Sequence, residues 1–231
     1  MINPAEAKLP QPGYLEAVRN LARDHGALLV FDEVVTGFRL ALGGAQEYFG
    51  VTPDLTCLSK AMANGMPISA LCGRAEVMDV AESLRITVGF GGEALSLAAT
   101  SACLHEYRTQ DVPAHLWHIG ALLISGLNAA AEAVGCPVRA GGVAPMPKID
   151  IAGRTERETD LMWTYFLQEA AKRGVLFRRG GLDFVCFSHT EEDVEHSVET
   201  ASEVFENMER YRDRGTLETA CRVQTPVLTA P

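Results

Sequence analysis

Two side chains in the first third of the sequence, a carboxylate and an amine 28 residues apart, sit where chemistry would want them. Asp32 closes the apolar run ALLVFD. In open α/β sheets the carboxyl ends of strands face the ligand crevice, and a carboxylate at the end of a buried strand is costly unless a cation meets it. Lys60 lies in DLTCLSKAMANGMPISA, between two short apolar runs and beside the small residues Ser59 and Ala61. A strand ending there would lead it into the same crevice as Asp32. Partial burial would favour the neutral amine that Schiff-base chemistry requires. Each residue also has a plainer reading: an Asp that caps the next turn, and a Lys solvated in a loop.

The elements that would position this pair follow from periodicity. Residues 13–26 read as an amphipathic helix with Leu15, Val18, Leu21 and Ala22 on one face and Gly26 as its stop. ALLVFD suits a strand buried on both sides. AQEYFG suits a short helix, and residues 54–58 and 68–72 two further strands. Helical patterns run from about Glu93 to Tyr107 and from about Val112 to Val134. Strands alternating with helices predict α/β architecture with a mostly parallel sheet.

Beyond Val134 the texture changes. CPVRA, PKIDI, GVLF and DFVCFS read as strands of a smaller sheet, TERETDLMWTYFLQEAAKRG as a helix, and residues 190–212 as a last helix opened by Thr190 and three acidic residues. The expected organisation is an α/β part over 1–110, a small α+β domain over 111–213 and a loose tail over 214–231.

Composition bounds the function. The net charge of -10 argues against a nucleic-acid or anionic-membrane surface. No apolar stretch is long enough to span a bilayer, and the N-terminus has no signal-peptide pattern, so the cytoplasm is the expected compartment. The six cysteines are scattered, with no CxxC and no metal spacing, so no metal site is expected.

Taken together, ALLVFDEVVTGFR, the 28-residue step to CLSKAMANGMP, ISALCGR, GGAQEYFGVTPDL, FGGEALSLAA and FSHTEEDVE resemble the class III aminotransferases of fold type I, nearest the glutamate-1-semialdehyde 2,1-aminomutase branch. The likeness covers roughly residues 10–205 and is most specific from Asp32 to Lys60. It implies that residues 1–110 are part of a large domain that binds pyridoxal 5'-phosphate (PLP), followed by the family's small C-terminal domain. It further implies that Lys60 is the Schiff-base lysine and the base that moves a proton, that Asp32 pairs with the pyridinium nitrogen, and that Val34 packs on the ring. Core filling is the plainer reading of Val34. The family's phosphate-contacting threonine, contributed across a dimer interface, corresponds to Gly89, which keeps only a backbone N–H, with Thr87 nearby.

The resemblance also implies amino transfer or amino migration on a small molecule by a homodimer. Arg39, Arg139, Arg178 and Arg179 are candidates for holding a substrate carboxylate, with surface solvation as the alternative for each. The family's phosphate loop and ring-stacking aromatic have no counterpart upstream of Asp32, so the chain reads as the C-terminal part of a longer enzyme, with Met1 as an internal methionine. Such a chain would be weakly active or inactive alone. The alternative is a non-catalytic dimerising or interaction module derived from such an enzyme.

Overall fold

The structure, a computed structural model, describes residues 9–84 and 88–222. Thr87, the opening eight residues and residues 223–231 of the expected tail lie outside the described residues. The chain divides into two compact units between His115 and Leu116.

In the first unit, α1 (Tyr14–Asp24) ends as its sequence predicts. Gly26 takes φ 65°, and the Ala27 N–H reaches back to the Ala22 carbonyl at 2.8 Å, closing the helix end with a residue that bears no Cβ penalty. Leu15 is buried and Val18 and Ala22 are half-buried, but Leu21 is 61% exposed. At 100° per residue it lies about 120° round from Leu15, outside the apolar stripe.

Next come β1 (Val30–Asp32), α2 (Gly44–Phe49), β2 (Leu55–Leu58) and β3 (Ala70–Gly73). β1 pairs parallel with β2, and β2 antiparallel with β3. The sheet is therefore mixed. The 11 residues between β2 and β3 contain only a single 3-10 turn, too little for a helical crossover, and the chain returns antiparallel. β1 is an edge strand, in the order β1-β2-β3, with Val30 and Asp32 exposed. The expectation of a strand buried on both faces is not met: only Phe31 between them is half-buried, because no described element covers Val30 and Asp32. Two helices, α3 (Ala75–Glu82) and α4 (Ala94–Thr109), belong to this unit. The first of them does not stand out in the sequence pattern.

The second unit is built on α5 (Val112–Ala133), whose Leu116, Ile119, Leu123, Leu127 and Ala130 are buried at spacings of three and four. A hairpin of β4 (Val138–Val143) and β5 (Met146–Ile151) follows, then α6 (Glu156–Lys172) and α7 (Glu191–Asp213). α7 opens with a capping box between Thr190 and Asp193. Phe166 of α6 stacks on Phe205 of α7, ring centroids 5.4 Å apart, at the centre of the core.

GVLF and DFVCFS do not form strands. The edge of β5 that they approach contains Pro147, which accepts from the Asp183 N–H at 2.8 Å but has no N–H to return. The ladder stops at one bond. Part of the expected tail is folded: α8 (Leu217–Ala220) packs on α6 and α7 with Leu217 buried.

Candidate active site

β1 and β2 run parallel with Asp32 opposite Cys57, and the Glu33 N–H continues the ladder to the Cys57 carbonyl at 2.9 Å. Asp32 thus stands at the carboxyl end of β1, and Lys60 follows two residues after the end of β2. Neighbouring strands are about 4.8 Å apart, so both side chains leave the same end of the sheet.

Asp32 divides its two oxygens. Oδ1 accepts from the Val34 N–H at 3.0 Å, which is the turn-capping role. Oδ2 has no partner among the described residues and is free to accept from a ligand. Val34 itself is half-buried.

Lys60 occupies φ 43°, in the left-handed region that non-glycine residues rarely enter. It opens a 3-10 turn, Lys60–Met62, in which its carbonyl accepts from Ala63 at 3.2 Å and Asn64 at 3.0 Å. Ser59 braces the segment by donating its hydroxyl to the Ile68 carbonyl at 2.9 Å. The buried anchor is Ala61, Met62 and Ala63, while Lys60 is exposed. The expected partial burial of the lysine is therefore not found: the three residues after it take the interior positions. Its Nζ has no hydrogen-bond or ion-pair partner among the described residues.

Glu33 is a further residue that organises the site. It is 1% exposed, and its carboxylate accepts from the Thr36 hydroxyl at 3.0 Å, the Ala45 N–H at 2.5 Å and the Gln46 N–H at 3.0 Å. It therefore caps α2 across a loop, a buried carboxylate satisfied by three donors. Gly44, at φ 77°, makes room: a Cβ there would lie 2.2 Å from Glu33 Oε2. The signal available was a Glu directly after the apolar run closed by Asp32, with a Gly pair ten residues on.

The conserved-domain profile described as "Aminotransferase class-III" matches residues 7–207. This chain belongs to the class III aminotransferase family. It is 39% identical to a glutamate-1-semialdehyde 2,1-aminomutase of Syntrophobacter fumaroxidans over 85% of the chain and 48% of that relative. It is 37% identical to a 3-aminobutyryl-CoA aminotransferase of Cloacimonas acidaminovorans over 87% of the chain and 49% of that relative. The structure of the PLP internal aldimine form of FumI from Sphingopyxis sp. MTA144 superposes with a TM-score of 0.81 at 30% identity, over 89% of this chain and 49% of that one. The chain spans about half the length of the curated relatives it matches.

In this class III chain Gly89 is exposed and lines a cleft of about 500 Å³ with Ser59, Ile68 and Leu97. Among the described residues, the one charged side chain on that lining is Glu93, the N-cap of α4. Its carboxyl is held below the usual carboxylate range, first by the Ser96 hydroxyl and then by the Ser96 and Leu95 N–H groups. Glu93 thus puts negative charge on the described lining, and the Leu95 and Ser96 N–H groups in the first turn of α4 are already satisfied. Of the candidate arginines, Arg179 is ion-paired with Asp160 and almost buried, whereas Arg139 and Arg178 are exposed. Among the described residues no group of His, Cys, Asp and Glu has metal-binding geometry, and no helix is long and apolar enough to cross a membrane.

Proposed function

We propose that this chain carries the lysine half-site of a PLP-dependent enzyme that moves amino groups on small molecules, by transamination or by the intramolecular migration of an aminomutase. The observation that supports this reading is the unpaired Lys60 amine and the unpaired Asp32 Oδ2 at the carboxyl ends of adjoining parallel strands. That donor set fits the cofactor: a primary amine for its aldehyde and a carboxylate for its ring N–H. The relatives' names support the same reading.

When bound, PLP supplies an electron sink that lets a proton leave the carbon bearing the amino group. The chain's part is binding and proton handling. Asp32 Oδ2 accepts the ring N–H and keeps that nitrogen protonated, while Oδ1 keeps the carboxylate fixed through Val34. Val34 gives an apolar contact to the ring face. Lys60 anchors the cofactor covalently and afterwards holds and returns the proton at its Nζ.

The phosphate contact asked of Gly89, toward the cofactor of a partner subunit in a homodimer, rests on one backbone N–H with ionised Glu93 four residues on. Weak retention of PLP by the isolated chain follows. The cytoplasm is the compartment this reading favours.

The test is a PLP titration of the purified chain, borohydride reduction and peptide mapping. The sequence has four lysines. Reduction should mark Lys60 and not Lys148 or Lys172, and the mark should vanish in Lys60→Ala. Labelling spread over the lysines would overturn the assignment.

A further inference from the structure

We propose that Tyr107 is a positioning residue for Lys60. Its hydroxyl fixes the turn that carries the amine, and its ring ties that turn to the loop that follows Asp32. This rests on the assignment of Lys60 as the cofactor lysine.

Tyr107, in the last two turns of α4, donates its hydroxyl to the Ala61 carbonyl at 2.8 Å, one residue past Lys60. One helical turn earlier on α4, Cys103 Sγ accepts from the Asn64 side-chain amide at 3.6 Å. α4 therefore grips both ends of the segment 61–64. On its other side the Tyr107 ring stacks on Phe38, with centroids 5.3 Å apart and planes 6° from parallel. Phe38 belongs to the loop after β1, six residues beyond Asp32.

Backbone strain marks the same place. Four non-glycine residues of the described chain have positive φ, and three of them are Phe38, Lys60 and Asn64. Such conformations persist only where the surroundings over-determine them. Two of the three are touched directly by the α4 side chains, and Lys60 adjoins the residue whose carbonyl Tyr107 holds. Half-burial raises the pKa of the phenol, so it stays a neutral donor across the working pH range. A tyrosine needed only to fill space would not require its hydroxyl to meet the carbonyl beside the lysine. Phenylalanine would serve.

Tyr107→Phe keeps the stack and deletes the donor, and Phe38→Leu weakens the stack and keeps the donor. Two readouts on the full 231-residue chain separate the possibilities. Without cofactor, backbone hydrogen exchange over residues 60–66 should quicken about fivefold in Tyr107→Phe, the loss of one net hydrogen bond, and less in Phe38→Leu. With PLP added, the pH midpoint of the visible band of cofactor bound to Lys60 should move in Tyr107→Phe.

Unchanged exchange overturns the proposal, even where PLP still binds Lys60. Faster exchange with an unmoved midpoint overturns it as well, leaving a structural contact without influence on the amine. A parent chain that never labels at Lys60 refutes the cofactor assignment, and the positioning role falls with it.

Discussion

Glu33 offers the sharpest test of how this site is held. Its carboxylate sits at 1% exposure and satisfies three donors: the Thr36 hydroxyl and the Ala45 and Gln46 N–H groups. Glu33→Ala leaves all three without an acceptor. An orphaned buried donor costs about 1–3 kcal/mol, and partial entry of water lowers the sum. We expect Glu33→Ala to destabilise the first unit by about 3–5 kcal/mol, a large share of a typical domain's stability. Glu33→Gln keeps the volume and one acceptor oxygen, but its amide N–H₂ group points donors at donors, so about 2–3 kcal/mol is expected. Both tryptophans, Trp117 and Trp163, lie in the other unit, so their fluorescence is the wrong probe. Pulsed alkylation of Cys57 in a urea series reads the right one, because Cys57 lies on β2, between β1 and β3. A midpoint shift worth less than about 1 kcal/mol for Glu33→Ala would refute the idea that this carboxylate organises the loop after Asp32.

Burial pushes the Asp183 carboxyl up to about 6, and its Oδ2 is buried without a partner among the described residues. The native state then keeps a proton that the unfolded chain releases near pH 4, so this group's contribution to stability is fully present below pH 4 and is lost as pH rises through 6. Asp183→Asn should remove that decline and exceed the parent by about 2 kcal/mol at pH 8 in a urea titration followed by Trp163 fluorescence; parity there would sink the argument. Asn128 donates to the Ala140 carbonyl and accepts from its N–H, both at 2.9 Å, tying α5 to β4. Asn128→Ala should cost about 2 kcal/mol in the same assay, and a loss under about 0.5 kcal/mol would show the pair to be replaceable by water. A Cβ on Gly120 would lie 1.7 Å from the Ala144 carbonyl oxygen, so Gly120→Ala should abolish a cooperative Trp163 transition; a folded variant would mean that the hairpin turn can retreat.

The sequence made the two ends of β1 and β2 readable because a short apolar run closed by Asp32, and a second one followed by Lys60, need only local patterning to recognise. What it hid was tertiary. Whether Lys60 is buried depends on which of four consecutive residues take the interior, and the apolar Ala61–Ala63 outcompete it. Glu33 resembles any acidic residue in a turn until the loop brings Ala45 and Gln46 against it. The runs at 175–178 and 183–188 have strand composition, but strands need partners, and Pro147 withholds the donor that would extend the ladder. Leu217 looked like tail because a four-residue helix carries no period to detect. The role of Gly89 rests on family likeness, since nothing in its own pattern distinguishes it from a turn glycine.

The conformation of Lys60 carries a consequence for how such a chain can drift in evolution. At φ 43° any residue with a Cβ is strained by about 1–2 kcal/mol, and glycine is not. Glycine gives back about 0.4–1 kcal/mol through the greater freedom of its unfolded chain. Lys60→Gly should therefore be more stable than Lys60→Ala by about 0.5–1 kcal/mol. Fold maintenance alone would thus steer this position toward glycine, as it would the other non-glycine residues of positive φ, Phe38, Asn64 and Asp111. If Lys60 is the cofactor lysine, its retention here against that gradient is the cost in stability that the amine's chemistry imposes.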